Sequence, residues 1–266
     1  MKAALTGGIA CGKSTFAKFL SELGIRVLDA DDVVHELEAP GGEAVPAIVA
    51  RFGRSVLAPD GGIDRPKLAS LIFPPRGQSP SPHGGQSPYQ ERGQSPQRGQ
   101  TPHGGQSPIP PWGQSPFGGQ TPKDALEGII FPLVRKRLLS FLNGDRSHDR
   151  DKPHLGDRPV GGDRPHGGDR PISLAIIPLL FESHFDSDYD TIIAIASPEE
   201  VQIDRMMRTR GYSRAQAEAR LAAQMPVAEK VARAHFVVVN DSTPERLRKE
   251  AVRLAAWLEE RAKHEQ

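Results

Sequence analysis

The sequence predicts a three-layer α/β/α fold, with a central parallel β-sheet between two layers of helices. Three observations predict it. Short apolar runs typical of buried strands alternate with segments of helical periodicity. A glycine-rich loop joins the first of these strands to the first helix. Outside two low-complexity stretches, about 190 residues of ordinary globular composition remain, which is enough to bury a substantial core.

The chain opens with a predicted strand, a loop and a helix. The strand covers Lys2–Leu5, and the loop at residues 7–14 matches the pattern G-x-x-x-x-G-K-[ST]. The helix is indicated by apolar residues at helical spacing, with a glycine where it stops: Phe16, Phe19, Leu20, Leu23 and Gly24. A loop in this position presents backbone N–H groups to an anion at a helix N-terminus. The motif therefore predicts phosphate binding and a P-loop NTPase fold.

The residue types of this loop predict ATP and Mg²⁺ as its ligands. Lys13 would reach the β- and γ-phosphates, and the Ser14 hydroxyl would ligate Mg²⁺. For Cys11 we favour a small residue that fills a tight turn. The alternative is a redox-sensitive thiol with a pKa lowered by the helix N-terminus and Lys13. The residues expected to bind the nucleotide here are Gly8, Ile9, Ala10, Cys11, Gly12, Lys13, Ser14 and Thr15.

The second predicted strand, residues 25–28, ends in a group of carboxylates at Asp29, Asp31 and Asp32. In a parallel sheet, residues at the carboxyl end of a strand beside a P-loop face the nucleotide crevice. Phosphoryl transfer to a hydroxyl needs one carboxylate to orient or deprotonate that hydroxyl and another to help hold Mg²⁺. Asp29 could also cap the following helix. Capping of the helix and chemistry on the substrate are compatible, because different carboxylates can serve them.

Two stretches of the chain are low-complexity repeats. Residues 76–122 repeat the tetrad GQ(S/T)P seven times, and residues 144–171 repeat GDRP. Neither repeat carries a hydrophobic face that could repay the entropy of ordering, so we predict two disordered insertions. A partner site at residues 108–112, Pro-Ile-Pro-Pro-Trp, is the less favoured alternative. We expect residues 1–266 to form a single domain that carries these two insertions.

The later elements follow the same alternation. A helix over Lys123–Leu142 has an apolar face and is expected to dock despite an insertion on either side. Ser197 is expected to cap one helix, with Pro198 in its first turn, and Ser213 to cap the next. The remaining predicted elements are strands at residues 174–177, 190–196 and 235–239, and a closing helix at residues 244–262.

Composition excludes several classes of function. The formal net charge of +1 gives no electrostatic case for binding nucleic acid or an anionic membrane. No apolar run approaches the ~20 residues of a membrane span, and the apolar start of the chain is short for a signal peptide. The single cysteine permits no intrachain disulfide, so we expect a cytoplasmic protein.

Taken together, these segments resemble the dephospho-coenzyme A kinase family. The segments that carry the resemblance are Leu5–Thr15 (LTGGIACGKST), Asp29-Ala30-Asp31, Pro40-Gly41, Ile72-Phe73, residues 177–182 (IPLLFE), Gln224-Met225-Pro226 and Val239-Asn240. The resemblance implies a helical acceptor-binding region and a lid. It also implies ATP-dependent phosphorylation of the ribose 3′-hydroxyl of dephospho-coenzyme A, the last step to coenzyme A.

The resemblance also implies roles for individual residues. Asp31 matches the general base, which leaves Asp29 beside Ser14 as the Mg²⁺ candidate. Further nucleotide contacts are expected from Arg205, Arg208, Arg210 and Asn240. Acceptor contacts are expected from Asp31, His35, Phe131, Pro178, Leu179, Phe181 and Glu182.

Three positions depart from the family pattern. Phe131 stands where a histidine is usual, Thr209 where the second lid arginine falls, and His235 where an aspartate precedes the last strand. Two alternative functions stay open at this point. One is another P-loop small-molecule kinase, such as a nucleoside monophosphate kinase. The other is a non-enzymatic ATP-binding protein that uses the repeats to bind partners, which we consider less favoured.

Overall fold

A parallel five-stranded sheet forms the centre of the molecule, in the order β2-β3-β1-β4-β5. The computed structural model describes residues 1–73, 121–145 and 172–264. The strands are β1 (Ala3–Gly7), β2 (Arg26–Asp29), β3 (Ser173–Ile176), β4 (Thr191–Ala196) and β5 (Phe236–Val239). The predicted parallel sheet is therefore confirmed. Each strand lies within two residues of the range expected from its apolar run.

The sheet is held by an apolar core along its middle strands. Leu5 of β1 is in register with Ile176 of β3 on one side and with Ile193 of β4 on the other. The middle strands β3, β1 and β4 are buried almost throughout. Strands covered on both faces have no polar side, so they show the continuous apolar runs seen in the sequence.

Nine α-helices lie in the described residues, together with short 3₁₀ turns at Arg54–Val56 and Asp186–Asp188. The helices are α1 (Lys13–Glu22), α2 (Ala30–Glu38), α3 (Val45–Phe52), α4 (Arg65–Ile72), α5 (Pro122–Leu142), α6 (Glu199–Arg210), α7 (Arg214–Ala222), α8 (Val227–Ala232) and α9 (Pro244–His264). Helices α1 and α9 pack on each other, α9 also packs on β5, and α8 packs on β1 and β4. None of the helices described is long and apolar enough to cross a membrane.

The chain divides into two compact units. One contains Met1–Glu38 and Ile130–Gln266, with the whole sheet and all the site residues discussed below. The other contains Ala39–Ile129, in which Ile48, Val56 and Leu68 form a small buried group. The boundary between the two units falls within α5. The expectation of a single domain over residues 1–266 stays a prediction.

The ends of α5 correct the limits of the two predicted insertions. Thr121 Oγ1 accepts a hydrogen bond from Asp124 N, and the Asp124 carboxylate accepts one from Thr121 N. This reciprocal cap makes Pro122 the first helical residue. At the other end, Gly144 adopts φ +82° and Asp145 N donates to Ser140 O. The last GQTP tetrad and the first Gly-Asp of the second repeat thus cap α5; the rest of both repeats lies outside the described residues.

The apolar face of α5 is buried, as its periodicity predicts. Ile130, Val134, Leu138 and Phe141 are each no more than 5% exposed. The Arg26 guanidinium of β2 lies 4.6 Å from the centre of the Phe141 ring. The part of α5 from Ile130 onward therefore packs within the unit that contains the sheet.

Ser197 does not cap α6, so this prediction is wrong. Its hydroxyl donates to Asn240 O at 2.6 Å, and Pro198 occupies the N-cap position of α6. A hydrogen bond to the chain after β5 has replaced the local cap. At α7 the prediction is confirmed, because Ser213 and Gln216 form a capping box.

Candidate active site

Three chain segments meet at the carboxyl edge of the sheet. The P-loop follows β1, Asp29 ends β2, and the turn at residues 177–185 follows β3. Strand β3 lies between β2 and β1, so its turn lies between the P-loop and the carboxylates. In parallel sheets this edge is where ligands bind. Local sequence predicts each strand, but the adjacency of these three strand ends is a property of the fold.

The geometry of the P-loop requires two of its glycines. A Cβ on Gly7 would lie 2.5 Å from the carbonyl oxygen of Ile195 in the neighbouring strand β4. Gly12, the N-cap of α1, has φ +90°, and a Cβ there would lie 2.3 Å from Asn240 Nδ2. Any larger residue at either position would push the loop away from the sheet. The glycines therefore let the loop pass close to β4 and Asn240.

Lys13 lies inside the loop and contacts its backbone. The Lys13 ammonium donates to the carbonyls of Gly7 and Gly8, both at 2.8 Å. Burial lowers the pKa of Lys13, while the charges of Asp29 and Asp31 raise it to a lesser extent. A phosphate could replace the two carbonyls as acceptor for the ammonium. The ammonium thus lies inside the loop, and the role of Lys13 in binding phosphate stays a prediction.

The P-loop backbone is held from outside by three side chains. Ile9 N donates to Gln224 Oε1 at 3.1 Å, before α8. The Arg205 guanidinium of α6 donates to Ala10 O at 3.2 Å. Asn240 Nδ2, after β5, donates to Cys11 O at 2.9 Å. Three consecutive loop residues, Ile9, Ala10 and Cys11, are thus fixed by three separate elements.

Arg205 and Asn240 also bind one another, with Ser197 between them. Arg205 donates to Ser197 Oγ and to Asn240 Oδ1, both at 3.2 Å. Both residues were predicted to contact the nucleotide. In the structure their hydrogen bonds go to the P-loop and to this network. They are therefore placed to shape the loop.

The other predicted lid arginines lie at the exposed end of α6. Arg208 pairs with Asp204 one turn earlier, and both side chains are more than half exposed. Arg210 is exposed too, directly before Gly211, which ends the helix in a left-handed conformation. Thr209 stands where the resemblance places an arginine. Its hydroxyl donates to Arg205 O at 2.7 Å, within the same helix. Arg208 and Arg210 thus remain accessible to a bound phosphate.

Ser14 and Thr15 are exposed at the start of α1. The first intrahelical hydrogen bond of that region runs from Phe16 N to Gly12 O at 3.0 Å. The N–H groups of Lys13, Ser14 and Thr15 therefore belong to the first turn, where helix N–H groups have no intrahelical acceptor. Such a helix end is suited to an anion, and nucleotide binding by these residues stays a prediction.

Asp29 and Asp31 have different environments. Asp29 Oδ1 accepts a hydrogen bond from Asp31 N at 3.0 Å, so Asp29 caps α2 as one reading of the sequence expected. Burial raises the pKa of Asp29 to about 6. Asp31 is exposed, and within the described residues its carboxylate has no hydrogen bond or ion pair. The structure thus provides one constrained carboxylate and one open carboxylate.

The turn after β3 contains four of the predicted acceptor-binding residues, and they differ in exposure and in hydrogen bonding. Leu179 is 41% exposed and Phe181 is buried. Pro178 O accepts from Thr6 Oγ1 at 3.3 Å and from Lys230 Nζ at 2.9 Å. The buried Glu182 Oε2 has no hydrogen-bond partner among the residues described. Of the predicted acceptor-binding residues here, Leu179 is therefore the most accessible.

The last two predicted acceptor-binding residues lie on helices. His35 is exposed on α2, one turn after Asp31. Phe131 packs edge-on against Phe185, with ring centres 5.6 Å apart. The phenylalanine that replaces the family histidine thus contacts the end of the turn after β3.

The redox alternative for Cys11 is contradicted by its burial. The thiol is free but has no exposed surface. Burial raises the pKa of Cys11, and the nearby charge of Lys13 lowers it less. A reactive thiolate needs exposure and a lowered pKa. Cys11 is therefore a small residue that fills the loop.

Gln224 and Lys230 are contacts of this site that the residue-by-residue prediction missed. Lys230 has no exposed surface, and its ammonium lies 2.8 Å from Glu182 Oε1. A signal was present in the sequence, because Lys230 shares a helical stripe with Val227 and Val231 at i, i+3 and i+4 spacing. A lysine on an apolar stripe needs a buried partner. The position of that partner in the fold is not encoded locally.

Comparison with known proteins agrees with this geometry. The sequence model of the dephospho-CoA kinase family matches residues 1–79 and 167–245. A dephospho-CoA kinase of Anaeromyxobacter dehalogenans is 32% identical over 96% of this chain and 90% of its own length. One of Geobacter sulfurreducens is 31% identical over 91% of each chain. The unmatched residues 80–166 contain α5 and most of both repeats.

Among solved structures, the crystal structure of TT1252 from Thermus thermophilus is similar in fold. It has a TM-score of 0.61 and 24% sequence identity, and the match covers 97% of each chain. The similarity supports the sheet and helix arrangement described above.

Proposed function

This chain belongs to the dephospho-CoA kinase family, and we propose that it transfers the γ-phosphoryl group of ATP to the ribose 3′-hydroxyl of dephospho-CoA. ATP-dependent phosphorylation of dephospho-CoA is the reaction of the family and belongs to coenzyme A biosynthesis. One observation carries the proposal for the site: the P-loop, the carboxylates after β2 and the turn after β3 lie side by side at one edge of the sheet.

ATP is held through its phosphates in this proposal. The first-turn N–H groups of α1 and the Lys13 ammonium bind the phosphate oxygens. Gln224, Arg205 and Asn240 keep the loop in the shape that presents those groups. Such positioning of donors before the substrate arrives is how phosphoryl transfer is accelerated. Arg208 or Arg210 adds charge to the phosphates from the end of α6.

Ser14 and Asp29 suit a Mg²⁺ ion that is held jointly with ATP. Their hydroxyl and carboxylate oxygens are the donors that Mg²⁺ prefers. The raised pKa of Asp29 supports this role, because a nearby cation would compensate the cost of a partly buried charge. The ion would take its further ligands from phosphate oxygens and water. When bound, Mg²⁺ neutralises charge that develops on the phosphates.

Asp31 orients and deprotonates the acceptor hydroxyl. Its carboxylate is exposed and has no competing partner in the described residues. A base must lie within hydrogen-bond reach of the proton that it takes. The turn at Pro178–Glu182, together with Leu179, His35 and Phe131, is proposed to bind the rest of the acceptor. In this proposal the lid begins at residues 205–210, and its closure would exclude water and so suppress hydrolysis of ATP.

The two alternative functions are not favoured. A nucleoside monophosphate kinase would share the P-loop, but the relatives that match nearly the whole chain are dephospho-CoA kinases. A non-enzymatic ATP-binding protein is not favoured either, because the matching family and relatives are kinases. The cytoplasmic location expected from the sequence stays a prediction.

The proposal is tested by measuring ADP release from ATP and Mg²⁺ with different acceptors. We expect dephospho-CoA to be strongly preferred over a panel of nucleoside monophosphates. Mass spectrometry of the product should show one added phosphoryl group. Equal turnover of dephospho-CoA and a nucleoside monophosphate would overturn the assignment of the acceptor.

A further inference from the structure

Lys230 of α8 is fully buried yet reaches the turn after β3. It has no exposed surface, and it lies on the stripe that packs against the sheet. Its ammonium contacts two groups of the turn, Pro178 O at 2.9 Å and Glu182 Oε1 at 2.8 Å. A charged group buried in this way is stable only with such partners. The burial therefore fixes where the turn can lie.

The same carboxylate oxygen of Glu182 has a second partner. Met225 N, directly before α8, donates to Glu182 Oε1 at 3.1 Å. The other oxygen, Oε2, is buried and has no hydrogen-bond partner among residues 1–73, 121–145 and 172–264. Lys230 and Met225 N thus bind Oε1, while Oε2 has no donor among the described residues. A buried acceptor without a donor is costly, so a ligand that donates to it is favoured.

Arg233, at the end of the same helix, holds the outer side of the turn. Its guanidinium lies 4.0 Å from the centre of the Phe181 ring and pairs with Asp186 at 2.7 Å. Helix α8 therefore contacts the turn on both its buried and its exposed side. Gln224, three residues before the start of α8, binds Ile9 of the P-loop. The segment 224–233 thus contacts both the P-loop and the turn after β3.

We propose that Lys230 is a positioning residue for the acceptor. By binding Glu182 Oε1 and Pro178 O, Lys230 leaves Glu182 Oε2 turned toward a hydrogen-bond donor of bound dephospho-CoA. Lys230 acts through Glu182 and does not touch the reacting atoms. The inference rests on the proposed function, because it takes the turn after β3 as part of the acceptor site.

The test compares Lys230→Met with a matched control, Lys249→Met, which removes an exposed lysine of α9. Isothermal titration calorimetry measures the affinity of each variant for dephospho-CoA and, separately, for ATP. We expect Lys230→Met to weaken dephospho-CoA binding by about 10- to 100-fold, the loss expected for one hydrogen bond to a charged group. ATP affinity should change less than about twofold, and the control should match the wild type in both.

Two further variants separate positioning from stability. Glu182→Gln keeps the shape of the side chain and an oxygen for Lys230 and Met225 N, so it tests the turn if Lys230→Met fails to fold. The pair Lys230→Met with Glu182→Leu removes both buried charges, and apolar replacement of a buried ion pair often restores stability. We expect the pair to regain melting temperature while binding of dephospho-CoA stays weak.

The outcomes are distinct. Binding of dephospho-CoA at wild-type affinity by folded Lys230→Met and by Glu182→Gln would overturn the positioning role. Equal loss of ATP and dephospho-CoA affinity would overturn it too, because the effect would then act through the P-loop. A wild type that binds dephospho-CoA without phosphorylating it would contradict the proposed function, and the binding comparison would still decide the role of Lys230.

Discussion

Asp29 and Asp31 show how two carboxylates on one short segment acquire different chemistry. Burial raises the pKa of Asp29 to about 6, although the hydrogen bond that its carboxylate accepts from Asp31 N acts in the opposite direction. Asp31 is exposed and open to a substrate. Distinct environments for neighbouring carboxylates are a general way to assign distinct roles to them. The segment therefore supplies a candidate metal ligand at the end of β2 and a candidate base in the first turn of α2.

We predict that Asp31→Asn lowers kcat by at least about 100-fold and leaves ATP affinity close to wild type, since an amide cannot accept the proton of the hydroxyl. Steady-state kinetics with saturating ATP gives kcat, and calorimetry gives ATP affinity. Asp32→Asn is the matched control, because Asp32 is also exposed in the first turn of α2. Unchanged turnover in Asp31→Asn would contradict the assignment of the base.

The raised pKa of Asp29 predicts a pH dependence of Mg²⁺ use. Below a pH of about 6 the carboxyl is increasingly protonated, and the proton competes with Mg²⁺. The Mg²⁺ concentration for half-maximal rate should therefore rise as pH falls from 7.5 to 5.5, by severalfold over that range. In Asp29→Asn this added pH dependence should be absent. A wild type and variant with the same pH profile would refute the role.

The same shift has a consequence for stability with a definite sign. The pKa of Asp29 in the folded chain, about 6, lies above the ordinary aspartate value of 3.8, so the folded chain binds this proton more tightly. The contribution of Asp29 to folding is therefore most favourable below pH 3.8 and is lost as pH rises through about 6.

Single residues also show where sequence reasoning stops. The glycines, Lys13 and Ser14 were identified because their motif is local. Ser197 was expected to cap α6 but donates to Asn240 O, a partner 43 residues away. Lys230 was missed because its partner Glu182 lies on another element. Side chains with two competing hydrogen-bond partners are decided by the tertiary structure.

At the scale of elements, α6 is tied to the P-loop by Arg205. Its guanidinium has hydrogen bonds to Ala10 O, Ser197 Oγ and Asn240 Oδ1, which a lysine cannot reproduce with one ammonium. The helix thereby positions the loop between β1 and α1.

We therefore predict that Arg205→Lys weakens ATP binding by about tenfold although the charge is kept, because one ammonium cannot replace all the hydrogen bonds that the guanidinium donates to the loop network. Calorimetric titration with ATP is the measurement. Arg214→Lys on the exposed face of α7 is the control, since Arg214 pairs there with Glu200 and Glu218. ATP affinity in Arg205→Lys equal to that of the control would refute the positioning of the loop by α6.

Helix α5 shows both the reach and the limit of periodicity. Its apolar stripe predicted a docked helix, and Val134 and Leu138 are buried. Its ends were assigned to the repeats, because Thr121 and Gly144 belong to the repeated tetrads. The capping hydrogen bonds of Thr121 and the left-handed Gly144 place both residues in the helix boundary. A repeat can thus contribute the capping residue of the helix next to it.

At the scale of the whole molecule, the two repeats are predicted to lengthen surface connections without adding a core. Lengthening a loop tenfold costs about 2 kcal/mol in closure entropy. The repeats therefore oppose folding by a few kcal/mol, a notable share of the ~5–15 kcal/mol typical of a domain. The strands whose ends make up the site all lie outside the two repeats.

Excision of residues 76–120 and 146–171, each replaced by a short glycine–serine linker, should raise the melting temperature by about 5–10 °C. These limits keep the caps of α5 at Thr121 and Gly144. We expect activity to be preserved or higher, and calorimetric melting with a kinetic assay measures both. Loss of activity in a folded deletion variant would instead assign the repeats a functional role.

The order of the sheet could be predicted only in part. Alternating strands and helices indicate a parallel sheet, and the P-loop indicates that the carboxyl end of β1 faces the nucleotide. That β3 lies between β1 and β2 is set by pairing across more than 140 residues, such as Val27 with Leu174. This adjacency brings the turn after β3 to the carboxylates. The parts of the site that follow from it could not be read from local sequence.

The central claim is that this site phosphorylates dephospho-CoA with Asp31 as base. The most direct measurement is phosphorus-31 NMR of the reaction of the intact chain with ATP, Mg²⁺ and dephospho-CoA, beside the same reaction with Asp31→Asn. We predict a new phosphomonoester on the ribose 3′-oxygen, formed in equal amount with ADP, and almost none in the variant. ATP hydrolysis without that phosphomonoester, or its formation at the same rate by Asp31→Asn, would contradict the claim.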